Sequence, residues 1–386
     1  MSLLQNTMAK SGTVNFYNGV ATQSLRFDDV RTSKLTRTPS SSGNQKKWTS
    51  SFWVKRSKLG GTQYLWTGGS YDGNNGVAAI YFENDFIYTY YDTSGANPVG
   101  AVNARLYRDT STWYHIVWAV DAANTVQKIW VNGVEESLNS SLNPPNYDYG
   151  MNRSGTNQAF GIAAWGGSNH LDGYLAEIAH LDGQYLDETS FGEFKNGVWI
   201  AKDTSDLTFG TNGFRLKLDQ TGVGTASTST IGADTSGNNN HFTSSGIVAS
   251  DCAMPDSPEN NFATLMGTIA EASDYQSYAR GTYTEGNLKV TGVAAGWTNG
   301  KSNQLVNSGK WYAEFVVNAW VNSNSVRMGV YARPARTYDE YFWLGNGNGQ
   351  LDAGSKNSKV GTFTTGDVIQ IAIDLENNNI FFGKNN

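Results

Sequence analysis

Short stretches in which apolar and polar residues alternate dominate this chain, the period of an extended strand with one side against a core. The most informative runs from Trp113 to Val134, WYHIVWAVDAANTVQKIWVNGV. Tyr114, Ile116, Trp118 and Val120 fall on one face of an extended chain, and Trp113, His115, Val117 and Ala119 on the other. Both faces are largely apolar, so this strand is expected to be covered on both sides. Turn formers in DAANT follow, then a return strand, VQKIWV, closed by Asn132-Gly133, a pair suited to a tight hairpin turn. SLRFDD (Ser24 to Asp29) and KKWTSSFWVKR, ending at Arg56, read as earlier strands. YLWTGG, VAAIYFEN and DFIYTYYD are three more, interrupted by the loop SYDGNNG, whose residues tolerate positive φ. QAFGIAAWGG and HLDGYLAEIAHLDG continue the pattern, and Asp187, Glu188 and Thr189 before Phe191 read as the start of a short helix.

From Asp206 the texture changes. GTASTSTIGADTSGNNNHFTSSG is rich in Gly, Ser, Thr and Asn with few apolar residues, the composition of a linker. Residues 206–262 are therefore expected to form an ordered connector, open to proteases between Thr221 and Ser245. Past it, GKWYAEFVV, SVRMGVYAR and GDVIQIAIDLENNNIFFGKN predict two strands and a hairpin turning at Glu376 to Asn379. Residues 1–24 show no sustained period and read as an N-terminal arm. Leu4 and Met8 stand one helical turn apart, so a short helix there would carry a small apolar face.

The strand KKWTSSFWVKR and the spacing of Trp, His, a paired return strand and the VNGV turn resemble laminin-G-like domains of the concanavalin-A-like jelly-roll class. The resemblance spans residues 25–205, with HLDGYLAEIAHLDGQYLDETSFGEF resembling the closing strand and helix. GKWYAEF and GDVIQIAIDLENNNIFFGKNN resemble a SPRY domain within residues 263–386. That family needs further strands after this hairpin, so the sequence is expected to be a piece of a longer protein. DTSGNNNHFT followed by MPDSPENNFATL resembles a segment of structural proteins of marine tailed bacteriophages, placed there too after a laminin-G-like domain. The resemblance implies an all-β protein, a jelly-roll sandwich followed by a second sandwich. It also implies a virion location and other virion proteins as partners. A homotrimer anchored through the arm and a host-surface glycan as ligand are implied in the same way.

Composition agrees with the strand reading. Among 386 residues stand 43 Gly, 12 Trp, 20 Tyr and 17 Phe, with only 16% charged residues, as in chains of short strands joined by tight turns. The net charge of -6 and the absence of a basic run exclude the electrostatic footprint of a nucleic-acid binder. No apolar run is long enough for a helical membrane span. Cys252 is alone, and MSLLQNTMAK lacks the pattern of a secretory signal, so synthesis in a reducing cytoplasm is expected, which counts against a cellular lectin.

Catalytic chemistry finds little footing. Glycosidases of the concanavalin-A-like class set carboxylates at alternating positions of one strand, but after Glu83-Asn84-Asp85 the partner positions hold Ile87 and Tyr88. A non-enzymatic protein is expected, with a capsule depolymerase or other glycosidase as the alternative. His115, His170, His180 and His241 have no zinc spacing, and no cofactor or metal is expected. Asp72 and Asn74 supply the sort of oxygens a structural calcium would use, but a plain surface turn is the simpler reading. Trp53, Trp118 and Trp311 sit inside strand patterns and are assigned to cores. Tyr71 and Trp165 sit instead beside Gly/Asn loops, where with Asp72, Asn74, Asn169 and His170 they are candidates to hold a sugar ring. Tyr338, Tyr341 and Trp343 group near the loops by which SPRY domains bind partners, and are candidates for a protein contact.

Overall fold

The computed structural model describes residues 2–4, 16–70, 76–92, 99–102, 105–138, 143–266, 272–273, 276–277, 281–292, 300–319, 327–331, 340–344, 350–353, 356–359 and 363–385. They fall into two compact units, residues 10–262 and residues 1–9 with 263–386. Strands and four single-turn 3-10 segments are the regular elements among the described residues. Strand β1 (Ser2–Leu4) belongs to the second unit.

The first unit is a sandwich of two seven-stranded antiparallel sheets. One runs β11 (Val134–Glu135), β10 (Val126–Val131), β9 (Tyr114–Asp121), β4 (Lys47–Arg56), β13 (Gly173–Asp182) and β16 (Phe214–Leu216), with β2 (Leu25–Phe27) also on β13. The other runs β17 (Thr243–Ser245), β3 (Lys34–Arg37), β12 (Gln158–Phe160), β5 (Thr62–Gly68), β6 (Val77–Glu83), β7 (Phe86–Asp92) and β8 (Val99–Val102). Between them lie Trp48, Phe52, Ile116, Trp118, Leu175 and Ile178 from the first sheet and Leu35, Trp66, Ile80, Phe82, Tyr91 and Phe160 from the second. Asn132 and Gly133, at φ 51 and 76, make the expected turn, which leads into β11. The return from β9 to β10 is a single 3-10 turn, Ala122–Asn124.

All eight residues of β9 are buried, so this sheet is covered on both faces as its sequence requires. Its outer side carries one cluster of Trp53, Trp113, Tyr174 and Trp199, and a second of Val117, Trp130, Leu181 and Phe191. The cover includes the hairpin of β14 (Gly192–Lys195) and β15 (Val198–Ala201) and the 3-10 turn Glu188–Ser190, which Asp187 caps by accepting from Thr189 N at 3.1 Å.

Residues 206–262, expected as a connector, are built into this unit. Leu216, Leu218, Ile231, Phe242 and Ile247 join the central core, and β16 and β17 pair with β13 and β3. Linker composition misleads here because polar side chains take the place of regular ladders. Asp234 accepts from Arg215 N, Ser236 N and Asn240 N at 2.9, 2.8 and 2.7 Å, while Asn240 Nδ2 donates to the carbonyls of Thr211 and Gly213. The segment's end is fixed by charge. Lys55, buried on the outer face of β4, donates to Asp256 Oδ2 at 2.8 Å, Asn261 Oδ1 at 2.8 Å and Phe262 O at 2.6 Å. Arg26 meets Asp251 at 2.6 Å in the same way.

The second unit contains a six-stranded sheet in which β1 lies between Lys289–Thr291 and Lys310–Val316, the latter followed by Val368–Asp374 and Asn379–Lys384. Leu3 opposes Phe315, so residues 2–4 form a strand, while the rest of the expected helix, through Met8, lies outside the described residues. Residues 16–24 belong to the first unit, where Ala21 and Ser24 are buried. The unit also holds a four-stranded sheet, Arg327–Tyr331, Glu340–Leu344, Gln350–Ala353 and Lys356–Lys359, and two short two-stranded pairs. Ile369, Ile371, Phe363 and Val317 form the unit's core, whereas Trp311, assigned to a core by its pattern, is 45% exposed and donates to Ser308 O.

Because residues 206–262 carry core side chains, limited proteolysis should leave Thr221 to Ser245 uncut, reversing the expectation for a linker. Phe242→Ala should cost the first unit about 3–5 kcal/mol in denaturant unfolding. A loss below about 1 kcal/mol, or early cleavage in this stretch, would show the segment to be peripheral.

Candidate functional site

The outer face of the second sheet of the first unit carries an unusual set of rings, and the backbone explains why. Asn84 and Asp85, at φ 49 and 72, form a two-residue turn between β6 and β7 that sets Glu83 opposite Phe86 and hence Tyr81 opposite Tyr88. With Ile80, Phe82, Ile87 and Tyr91 in the core, alternation turns Tyr81, Tyr88 and Tyr90 outward. In β5 the register shifts between Tyr64 and Trp66; Leu65 and Trp66 both enter the core, and Tyr64 stays outside opposite Tyr81.

The rings touch. Tyr64 and Tyr81 lie 5.1 Å apart between centroids, and Tyr81 and Tyr88 5.5 Å apart and stacked. Trp165 stands edge to face with Tyr64 at 5.4 Å and tilted against Tyr90 at 6.2 Å. Its loop is held down by Thr67, whose Oγ1 donates to Ile162 O at 2.9 Å and accepts from Ala164 N at 2.7 Å. Ala159, Ile162 and Ala164 pack beside Trp165 in a small cluster of their own. Tyr64, Tyr88, Tyr90 and Trp165 remain half-buried, so the rings are anchored yet reachable from solvent. Such amphipathic rings stack on the C–H faces of a ligand while their polar atoms hydrogen-bond.

Of the predicted sugar-site residues, Trp165 is on this face. Asn169 is exposed, with its carbonyl accepting from Tyr64 N at 3.4 Å, but His170 is buried and is not a rim residue. Burial, reinforced by Lys34, lowers the His170 pKa. Tyr71, Asp72 and Asn74 lie outside the described residues. Tyr64, Tyr81, Tyr88 and Tyr90 were not foreseen, although the alternation in DFIYTYYD places two of them on one face. In the second unit Tyr338 lies outside the described residues. Tyr341 and Trp343 fall within the strand Glu340–Leu344, opposite Val330 and Met328, and not in a loop.

Other titratable groups are committed to the fold. Asp85 sits in the turn, within 3.0 Å of Arg56 and 2.8 Å of Arg108, and these contacts with the Gly60 amide lower its pKa against the effect of burial. Glu177 is the extra residue of a bulge in β13, at φ 38, and pairs with Arg215 at 2.8 Å. The bulge keeps Leu175 and Ile178 both in the core; burial pushes the Glu177 carboxyl up to about 7. No group of three ligating side chains suited to a metal exists among the described residues.

His115 and His180 are buried on opposite faces of the first sheet. Trp199 Nε1 donates to His115 Nδ1 at 2.9 Å, so Nε2 carries the proton and donates to Ser51 Oγ at 2.8 Å. His180 Nε2 donates to Asn152 Oδ1 at 2.9 Å, while Nδ1 accepts from Ser50 Oγ at 2.8 Å. Desolvation lowers both rings to about 3.

These features define an all-β protein, a jelly-roll sandwich followed by a second β-sandwich. Residues 30–185 match the family model of the concanavalin A-like lectin/glucanases superfamily, and residues 310–386 match that of the SPRY domain. No curated protein matches the chain. Among solved structures it is similar to the mouse laminin alpha1 chain, domains LG4-5, at 10% identity over 98% of this chain and 78% of that one, TM-score 0.37. It is similar also to the Ruminococcus gnavus IT-sialidase CBM40, at 11% identity over 44% and 94%, TM-score 0.33. A third is the heptameric SAP-like pentraxin from Limulus polyphemus, at 14% identity over 41% and 79%, TM-score 0.30.

Since the folded protein holds both histidines neutral down to about pH 3, the unfolded chain binds more protons at them below pH 6.5. Their contribution to stability is complete above pH 6.5 and is lost as pH falls toward 3. The raised Glu177 carboxyl acts with the opposite sign, so a difference measurement is needed. Between about pH 6 and 4, His115→Gln should flatten the stability profile by about 1.4 kcal/mol per pH unit relative to the unaltered chain. Parallel profiles would mean that His115 is already charged in the folded protein.

Proposed function

We propose that this chain is a non-enzymatic structural component of a tailed-bacteriophage virion whose first unit binds a host-surface glycan. The observation that carries the glycan reading is the set of half-buried rings Tyr64, Tyr88, Tyr90 and Trp165, packed about the buried Tyr81 on the outer face of β5, β6 and β7. A pyranose offers apolar C–H faces between polar hydroxyls, and anchored Tyr and Trp rings complement both at little cost in side-chain entropy. The virion reading is supported by the resemblance of the DTSGNNNHFT and MPDSPENNFATL segments, in their order after a jelly roll, to phage structural proteins. The other virion proteins are its partners, and it acts as a homotrimer. Against hydrolysis, Asp85 in the glucanase-like triplet is tied to Arg56 and Arg108, and the positions for a partner carboxylate hold Ile87 and Tyr88.

Trp165→Ala and Tyr88→Ala should each weaken binding to a retained polysaccharide by about tenfold. Their melting temperatures should fall by only a few degrees, since both rings are half-buried. Retention unchanged in both variants would sink the aromatic face as the binding site. Particles purified from an infected culture should contain the chain by mass spectrometry, with a light-scattering mass of three copies for the free protein; release of reducing ends from any bound glycan would instead make it an enzyme.

A further inference from the structure

The strands and loops that carry the aromatic face come from stretches of sequence without a cation. From Leu59 to Ala104, through β5, β6, β7, β8 and every loop between them, there is no Lys, Arg or His. The loop that carries Trp165 is equally bare, with no charged residue from Ser154 to Asn169. Charge in these segments is acidic only: Asp72, Glu83, Asp85 and Asp92. Asp85 is neutralised by Arg56 and Arg108, and Arg56 is buried behind it with its guanidinium over Phe82, so it does not reach the outer face. Asp92 lies at the end of β7, its carboxylate accepting from Tyr90 at 3.3 Å, beside the ring that meets Trp165.

A face that recognises sulfates, uronic acids or sialic acids needs donors that match a charged oxygen, typically Arg or Lys. The segments that carry the rings supply none: the nearest exposed guanidinium, Arg108, is held by Asp85 at the β6–β7 turn, and the carboxylate of Asp92 repels such ligands within a Debye length. We infer that the aromatic face selects an uncharged glycan, a polymer of neutral hexoses, 6-deoxyhexoses or N-acetylhexosamines, and rejects anionic polysaccharides. The rings grip the C–H faces of neighbouring sugars, and the phenol oxygens and Asp92 accept from sugar hydroxyls, for which a carboxylate is the stronger acceptor. Attraction of this kind does not depend on ion release, so affinity is insensitive to salt.

The inference rests on the glycan reading of this face, and one experiment separates the two. The full chain is run in affinity electrophoresis through gels containing neutral polymers (dextran, galactomannan, a mixed-linkage β-glucan, glycol chitin) and anionic ones (alginate, hyaluronan, a carrageenan). Runs at low and high salt are compared, with Trp165→Ala and Tyr88→Ala alongside. Retardation by a neutral polymer is expected, changed less than about twofold between 50 and 500 mM NaCl and lost in both variants. Retardation by an anionic polymer that is lost in both variants and fades with salt would overturn the neutral selectivity while leaving the glycan-binding face intact. No retardation in any gel, or retardation unaffected by either variant, would remove the glycan reading and the inference with it. Thermal melts of the variants show whether a loss of binding comes from a loss of fold.

Discussion

A sheet buried on both faces has to be covered twice, and most of the first unit follows from that. One face of β4, β9 and β13 meets the second sheet in the usual way. The other presents Trp53, Trp113, Trp130 and Tyr174 together with His115 and Lys55, a mixture that neither water nor a plain apolar cover would satisfy. The cover is therefore itself mixed. Trp199 supplies both a ring for His115 to stack beneath and the N–H that fixes its tautomer, and Asp256 supplies the charge for Lys55. Buried polar groups left unmatched would cost far more than the contacts here return, so the covering segment is as much part of the fold as the strands it covers.

The second sheet is closed on its outer face only in part, by the Trp165 loop and its own rings, and that difference leaves room for a site. Its inner face is closed by the same core, while β7 alternates buried and half-buried along its length. The outer rings are held by one another and by the Thr67-pinned loop, which leaves them ordered without being sealed. A bulge in β5 and a two-residue turn after β6 align Tyr64, Tyr81 and Tyr88, so local backbone irregularity, not loop sequence alone, composes the face.

How much of this was legible in the residues differs by element. The double burial of β9 is written in its two apolar faces, and the Asn132-Gly133 turn and the Asp187 cap follow from their chemistry. Trp165 stood out because a large ring beside Gly and Asn has no core to enter. Tyr81 and Tyr88 were hidden because aromatic residues serve cores and surfaces alike, and only the register of three strands tells which. The stretch 206–262 was misread because burial there depends on a few apolar anchors, Leu218, Ile231, Phe242 and Ile247, spaced among polar residues whose side chains bond to backbone. Composition averages such anchors away. His170 was drawn to the rim by its neighbour Asn169 and the Gly/Asn loop of Trp165, yet it is buried, a placement no one-dimensional pattern distinguishes.

The pairing of Lys55 with Asp256 also sets an order of events in synthesis. The two are separated by 201 positions, so when β4, β9 and β13 have all left the ribosome the ammonium on β4 still has no counter-charge. A buried lysine without its partner favours the neutral or the solvated state, either of which loosens the outer face of the sheet. The sandwich can collapse early around Trp48, Trp118 and Phe160, but its outer layer closes only after Asp256, Asn261 and Phe262 emerge. High sequence separation of this kind slows folding, and a nascent chain stalled before that point exposes Trp53 and Trp113 to whatever chaperone is at hand.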